Sequence, residues 1–201
     1  MKRIILILLP AAFLALSACK NDTKEVNKVN SIVNDIEKIV TPSKQKALKN
    51  KVPLSKQELE DTFPFKIADY ERDYLQVSDE MTTSEGAFGN GIIHLRIADA
   101  AGPLGKSLIT MFNAIYESKE ENSPTVRWQK KLRNNIKTIN RYETDTQNAS
   151  IEFIYINRFH VMLTGKNITP DELWNLFEFD NYLSSLKVLD DFDNKNRDRN
   201  H

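Results

Sequence analysis

The chain has 201 residues, with 28 Lys and Arg against 28 Asp and Glu, a formal net charge of zero and 40% hydrophobic residues. That length allows one ordinary domain with appendages, and the balanced charge lacks the basic excess with which nucleic-acid binders neutralise phosphates, so no nucleic acid is expected as a partner. A single cysteine removes disulfides from consideration, and stability must come from a hydrophobic core.

Lys2 and Arg3 precede an apolar run from Ile4 to Leu16, interrupted by Pro10 and closing on small residues. This is the layout of a secretory signal. The run is shorter than the roughly 20 apolar residues that span a bilayer. It ends at Leu16-Ser17-Ala18-Cys19, after which Lys20-Asn21-Asp22 turn the chain polar. The tetrad resembles the lipobox of bacterial lipoproteins. That resemblance implies loss of residues 1–18, a diacylglyceryl group on the Cys19 thiol, further acylation such as palmitate on the new N-terminus, and attachment to a membrane without spanning it. Two or more acyl chains make such an anchor stable. It also implies a place in the cell envelope, outside the cytoplasm; with Lys20 instead of aspartate after the cysteine, the sorting rule points to the outer membrane, beside the periplasm, in a cell that has two. Loss of Lys2 and Arg3 leaves the mature chain near −2.

Residues 19–51 read as a lipidated, lysine-rich stalk. Val26, Val29, Ile32, Val33, Ile36, Ile39 and Val40 recur at helical spacing, and Pro42 stops them. The 24–40 stripe fits either a helix docked on its own domain or a coiled coil. Lys44, Lys46, Lys49 and Lys51 follow as a solvated linker that could also touch anionic headgroups.

The folded domain is expected over 52–189. Leu54-Ser55-Lys56-Gln57-Glu58-Leu59 starts a helix, with Ser55 as N-cap, Glu58 closing a capping box and Leu54 with Leu59 as staple; Pro64 ends it. Tyr74 to Thr83 and Gly91 to Asp99 read as strands, with Gly86, Gly89 and Gly91 in or beside the turn between them. After Gly102-Pro103 an amphipathic helix carries Leu104, Leu108, Ile109, Phe112, Ile115 and Tyr116. Ile136 to Glu143 looks extended. Ser150 to Thr164 reads as a hairpin turning at Asn157-Arg158, with both faces partly apolar, which predicts a sheet covered by helices on one side and partly on the other. Thr169-Pro170-Asp171-Glu172 opens the last helix. From Asp190 to His201 the charged, Asn-rich tail is expected to be disordered. Strand pairs on short turns, with interspersed helices, give α+β: an antiparallel sheet with packed helices. The stretch from Arg158-Phe159 through Gly165 to Thr169-Pro170-Asp171-Glu172-Leu173 resembles the C-terminal part of small bacterial envelope proteins, a resemblance that implies no activity.

One pattern imitates catalytic machinery. Ala100-Ala101-Gly102-Pro103-Leu104-Gly105-Lys106-Ser107 satisfies a relaxed phosphate-loop form in which Gly105, Lys106 and Ser107 would hold a nucleotide and its magnesium. Pro103 inside the loop, the extracytoplasmic address and the lack of a parallel βαβ series count against it. His94, His160 and His201 have no metal-ligand spacing, and acylation of Cys19 leaves no thiol nucleophile. Carboxylates such as Glu58, Glu60, Asp61, Glu120 and Glu121 sit at expected helix starts and turns, where capping and solvation explain them. Tyr70, Tyr74, Trp128, Tyr142, Phe153, Tyr155 and Phe159 suit core and cross-strand positions better than a ligand groove. No catalytic residue, metal ligand or cofactor is therefore assigned. The expected function is that of a non-enzymatic envelope lipoprotein whose domain binds an envelope protein or a small apolar ligand. The alternatives are an extracytoplasmic enzyme whose site assembles only in three dimensions, and a nucleotide-binding protein through Ala100 to Ser107.

Overall fold

The computed structural model describes residues 48–102, 105–118, 120 and 122–198. The signal segment, Cys19, the 24–40 stripe, the lysines before Leu48, Pro103, Leu104, Glu121 and His201 lie outside them, as does the side chain of Lys106. The fold is α+β, built on one eight-stranded sheet in which every ladder is antiparallel.

Helix α1 (Lys56–Thr62) begins at the expected capping box: Ser55 accepts from the Glu58 amide, and the Glu58 carboxylate accepts from the Ser55 amide. Then come β1 (Lys66–Ile67), β2 (Tyr70–Ser78), β3 (Thr83–Phe88) and β4 (Ile93–Asp99). Helix α2 (Gly105–Glu117) crosses to β5 (Val126–Arg133), β6 (Ile136–Glu143), β7 (Asn148–Tyr155) and β8 (Phe159–Gly165). The chain ends in α3 (Pro170–Leu176), α4 (Phe179–Tyr182) and α5 (Ser184–Asp198). The sheet order β1-β2-β3-β4-β8-β7-β6-β5 is two meanders joined where β8 pairs with β4.

Strands alternate side chains between faces, and here the two faces differ. One carries Leu95, Ile97, Ile151, Phe153, Val161 and Leu163, all buried beneath α1, α3, α4 and α5. Full burial of each such side chain contributes about 1.5–3 kcal/mol, so this layer is the main core. Among the described residues the opposite face is crossed by α2, where Ile109 packs with Ala100, Leu48 and Ile154. The two partly apolar faces of the β7–β8 hairpin are accounted for by this arrangement: odd-numbered residues face the core and even-numbered ones face α2.

Several boundaries differ from the sequence expectation. Tyr74 to Thr83 is not one strand; β2 ends at Ser78, and a turn through Thr82 (φ 47°) starts β3. Gly86 is not in a turn but inside β3, paired with Leu75 and Leu95, and a Cβ there would lie 2.7 Å from both the Phe63 ring and the Tyr74 carbonyl oxygen. A strand glycine often marks such close approach. Strand β5 escaped the sequence reading because its Arg-Trp-Gln-Lys-Lys-Leu-Arg run is dominated by charge, which suits an edge strand. Its hairpin with β6 turns on Asn134 and Asn135, both left-handed, as a two-residue loop of the primed kind requires. The β7–β8 turn is centred one residue early, on Ile156 (φ 46°) and Asn157 (φ 57°), and the Arg158 amide donates to the Tyr155 carbonyl. That shift makes Arg158 the residue that closes the turn, with its side chain in the interior.

The edges of the domain also move. The Gly102 amide donates to the Leu48 carbonyl at 3.0 Å and Leu48 is buried, so packing begins before Val52. Lys51 is not a solvated linker residue but an ion-pair partner of Asp190. Where disorder is expected from Asp190 onward, α5 continues to Asp198, with Asp190 and Asp193 tied to Arg158; residues 199–201 lie outside the described ones.

Candidate functional site

The most buried polar cluster surrounds Arg158, which is 1% exposed. Its Nε donates to Asp99 Oδ1 at 2.8 Å and its Nη2 to Asp99 Oδ2 at 2.7 Å, a two-point pairing. Nη1 donates to Asp190 Oδ1 at 3.0 Å and to Asp193 Oδ2 at 3.2 Å, and Nη2 also donates to the Val52 carbonyl at 3.0 Å. A guanidinium has five N–H donors, and all are occupied. Asp99 accepts two further bonds, from the Leu54 amide at 2.8 Å and the Ala101 amide at 2.9 Å. Burial alone would lower the Arg158 pKa, but the hydrogen bonds and charges of Asp99 and Asp190 outweigh it and raise it, so the side chain stays cationic. The cluster clips four parts of the chain together: the segment before α1, the end of β4, the β7–β8 turn and α5. With its donors spent, it is a structural staple and not a site.

That staple bears on the phosphate-loop pattern. Asp99, the acid closing the strand before Ala100 to Ser107, is saturated by Arg158 and two amides. Strand β4 has antiparallel neighbours on both sides, whereas a phosphate loop sits in a parallel βαβ frame. Gly105 lies so close to Ala100 that a Cβ on it would fall 1.7 Å from the Ala100 carbonyl oxygen.

The two described histidines share the α2-side face but stay apart. His94 is opposite Thr164 and His160 opposite Ala98, a separation of four residues along β4, or roughly 13 Å. His160 Nε2 lies 2.6 Å from Glu152 Oε1, with its ring edge-on to Phe112 beneath α2. Among the described residues no group of three His, Cys, Asp or Glu could hold a metal ion. Glu58 caps α1, and Glu120 accepts from the Lys130 amide at 2.8 Å, on the outer edge of β5. Phe153, Tyr155 and Phe159 are core residues, Tyr70 and Tyr142 pack at its margin, and Tyr74 is 45% exposed.

A cavity of about 510 Å³ lies between the β2–β3 turn, the end of β4 and the start of α2. Its apolar walls come from Pro53, Met81, Ala98, Ala101 and Leu108. Arg96, half-buried on β4, enters from one end, and its guanidinium has no hydrogen-bond or ion-pair partner among the described residues. Asp79 and Glu80 stand exposed at the other, in the β2–β3 turn. Its volume is that of ordinary small-molecule sites. The sequence held one signal for it, the polar alternation His94-Arg96 in an otherwise apolar strand. The rest depended on the β2–β3 turn, which a single long strand through Thr83 conceals.

Among the described residues no helix is long and apolar enough to cross a membrane. No family model, curated protein or solved structure matches the chain.

Proposed function

We propose that the chain is an envelope lipoprotein, acylated at Cys19, whose α+β domain is a binding module held at a membrane surface. The anchor rests on the basic n-region, the apolar run and Leu16-Ser17-Ala18-Cys19. The observation that carries the binding role is the cavity at Arg96: mainly apolar walls around a cation that has no side-chain partner among the described residues, the pattern of sites that bury a small ligand and orient it with few polar groups. Its walls include no histidine, and its buried carboxylate, Asp99, is already committed to four hydrogen bonds. The other two carboxylates of its lining, Asp79 and Glu80, stand exposed in the β2–β3 turn, suited to holding a charged group at the mouth.

Labelled palmitate tests the anchor. It should enter the chain and fractionate with membranes, and both should be lost in Cys19→Ala. Incorporation that survives that substitution would overturn the lipoprotein reading. For the binding role, Leu108→Trp should fill the cavity and abolish uptake of a small apolar probe by the purified chain, while the thermal midpoint stays within a few degrees. ATP should leave that midpoint unchanged in the parent and in Lys106→Ala alike.

A further inference from the structure

Resting on that binding reading, the geometry points to a ligand class for the cavity: a short zwitterion with an apolar body, of the size of a dipeptide of apolar residues. Arg96 would take the carboxylate and the β2–β3 turn the ammonium.

Three features support the assignment. First, charge is divided by position. Arg96 is the cation among the lining residues that the structure describes in full, and it has no partner among the described residues. Its cross-strand neighbour Glu85 is exposed and makes no ion pair with it. Asp79 and Glu80 occupy the opposite end. A simple anion would use Arg96 but meet two carboxylates at the mouth, and a simple amine would leave Arg96 unpaired in a partly desolvated place, which is costly. A zwitterion satisfies both ends.

Second, the spacing fits. Arg96 is level with Glu85 and Gln76, Ala98 with Thr83 and Ser78, and Asp79 follows one position later. Asp79 is therefore three positions beyond Arg96, roughly 10 Å along the strands, and two strands away, roughly 10 Å across them, about 14 Å in all. Two extended residues span about 7 Å, and a charge-assisted hydrogen bond at each end adds about 3 Å.

Third, the walls between the charged ends are apolar and partly adaptable. Ala98 and Leu108 flank the cavity and Met81, 61% exposed, stands over it. An unbranched thioether accommodates side chains of different shape, so the termini would be read more strictly than the residues between them.

Calorimetric titration of the full chain, lipidated and held in detergent, decides the matter with four probes: leucyl-leucine, its N-acetyl form, its C-terminal amide, and the doubly blocked neutral compound. Leucyl-leucine should bind best, with each single blocking weakening it about tenfold or more, the loss of one charge-assisted hydrogen bond. Arg96→Gln should erase the advantage of the free carboxylate but keep that of the free amine. Asp79→Asn combined with Glu80→Gln should do the reverse. Equal binding of all four probes would overturn the zwitterion assignment and leave the binding module standing. If the neutral probe alone binds, the assignment fails in the same way; if none binds, both readings fail.

Discussion

Arg158 and Asp99, 59 residues apart in sequence, meet through two hydrogen bonds of 2.8 and 2.7 Å at the junction of β4 and the β7–β8 turn, with both side chains essentially fully buried. Planar guanidinium and carboxylate groups match at both points, and the remaining donors hold Val52, Asp190 and Asp193. Breaking such a pair from one side strands a charge in the interior.

Arg158→Met should therefore cost about 3–5 kcal/mol, measured by urea denaturation. Arg158→Lys should recover little of it, because an ammonium cannot span both Asp99 oxygens and reach α5 as well. A loss below 1 kcal/mol in Arg158→Met would show that the staple does not hold the fold.

Truncation after Leu189 should be destabilising, although the removed residues are mostly charged or Asn. It removes Asp190 and Asp193 and leaves Arg158 Nη1 unpaired. Circular dichroism melting should show a midpoint lower by several degrees, whereas removal of the last three residues alone should leave it unchanged.

Acid should loosen the same contact. Burial pushes the Asp190 carboxyl upward, but hydrogen bonds from Lys51 and Arg158 prevail and hold it below the ordinary carboxylate value. A depressed folded-state pKa gives stability that is fully present above the unfolded value, about 3.9, and that is lost as pH falls through the folded one. Asp190→Asn should thus be less stable than the parent at pH 7, and the gap should narrow below pH 4. A constant gap from pH 7 to pH 2 would rule out this linkage.

The two capping boxes should contribute separately. Ser55→Ala and Thr169→Ala each remove a side-chain oxygen that accepts the amide three residues on, at a cost of about 1 kcal/mol each. They lie on different helices, so the double variant should show the sum in denaturation midpoints.

Gly86→Ala should be poorly tolerated. Its Cβ would meet the Phe63 ring, which can yield, and the Tyr74 carbonyl, which cannot without moving β2. A loss of about 1–3 kcal/mol is expected, as for other overpacking changes. Gly105→Ala should be no milder, since the Ala100 backbone occupies the space of its Cβ. Equal stability of either variant with the parent would mean that the strand or loop can shift more freely than the packing allows.

The sequence by itself determined what is written in short-range rules. Capping boxes at Ser55 and Thr169, the alternation in β4, β7 and β8, and the amphipathic α2 all follow from spacings of two to four residues, and so does the α+β class they add up to. The lipobox-like tetrad is equally local, and it is still the sequence that speaks for an anchor at Cys19. Tertiary structure decided whatever depends on distant partners. Gly86 is a strand residue because β2 and β4 pair with it on either side, and β5 is a strand because β6 offers it a ladder despite its charge. Asp190 belongs to the fold because Arg158 reaches it across 32 residues. Arg96 gained its meaning in the same way: on the strand it is one polar residue in an alternating pattern, and only the folded β2–β3 turn and α2 close a cavity around its charge, which no described side chain pairs. Neighbours along the chain set local geometry, but a charge is paired, stranded or offered to a ligand according to what surrounds it in space.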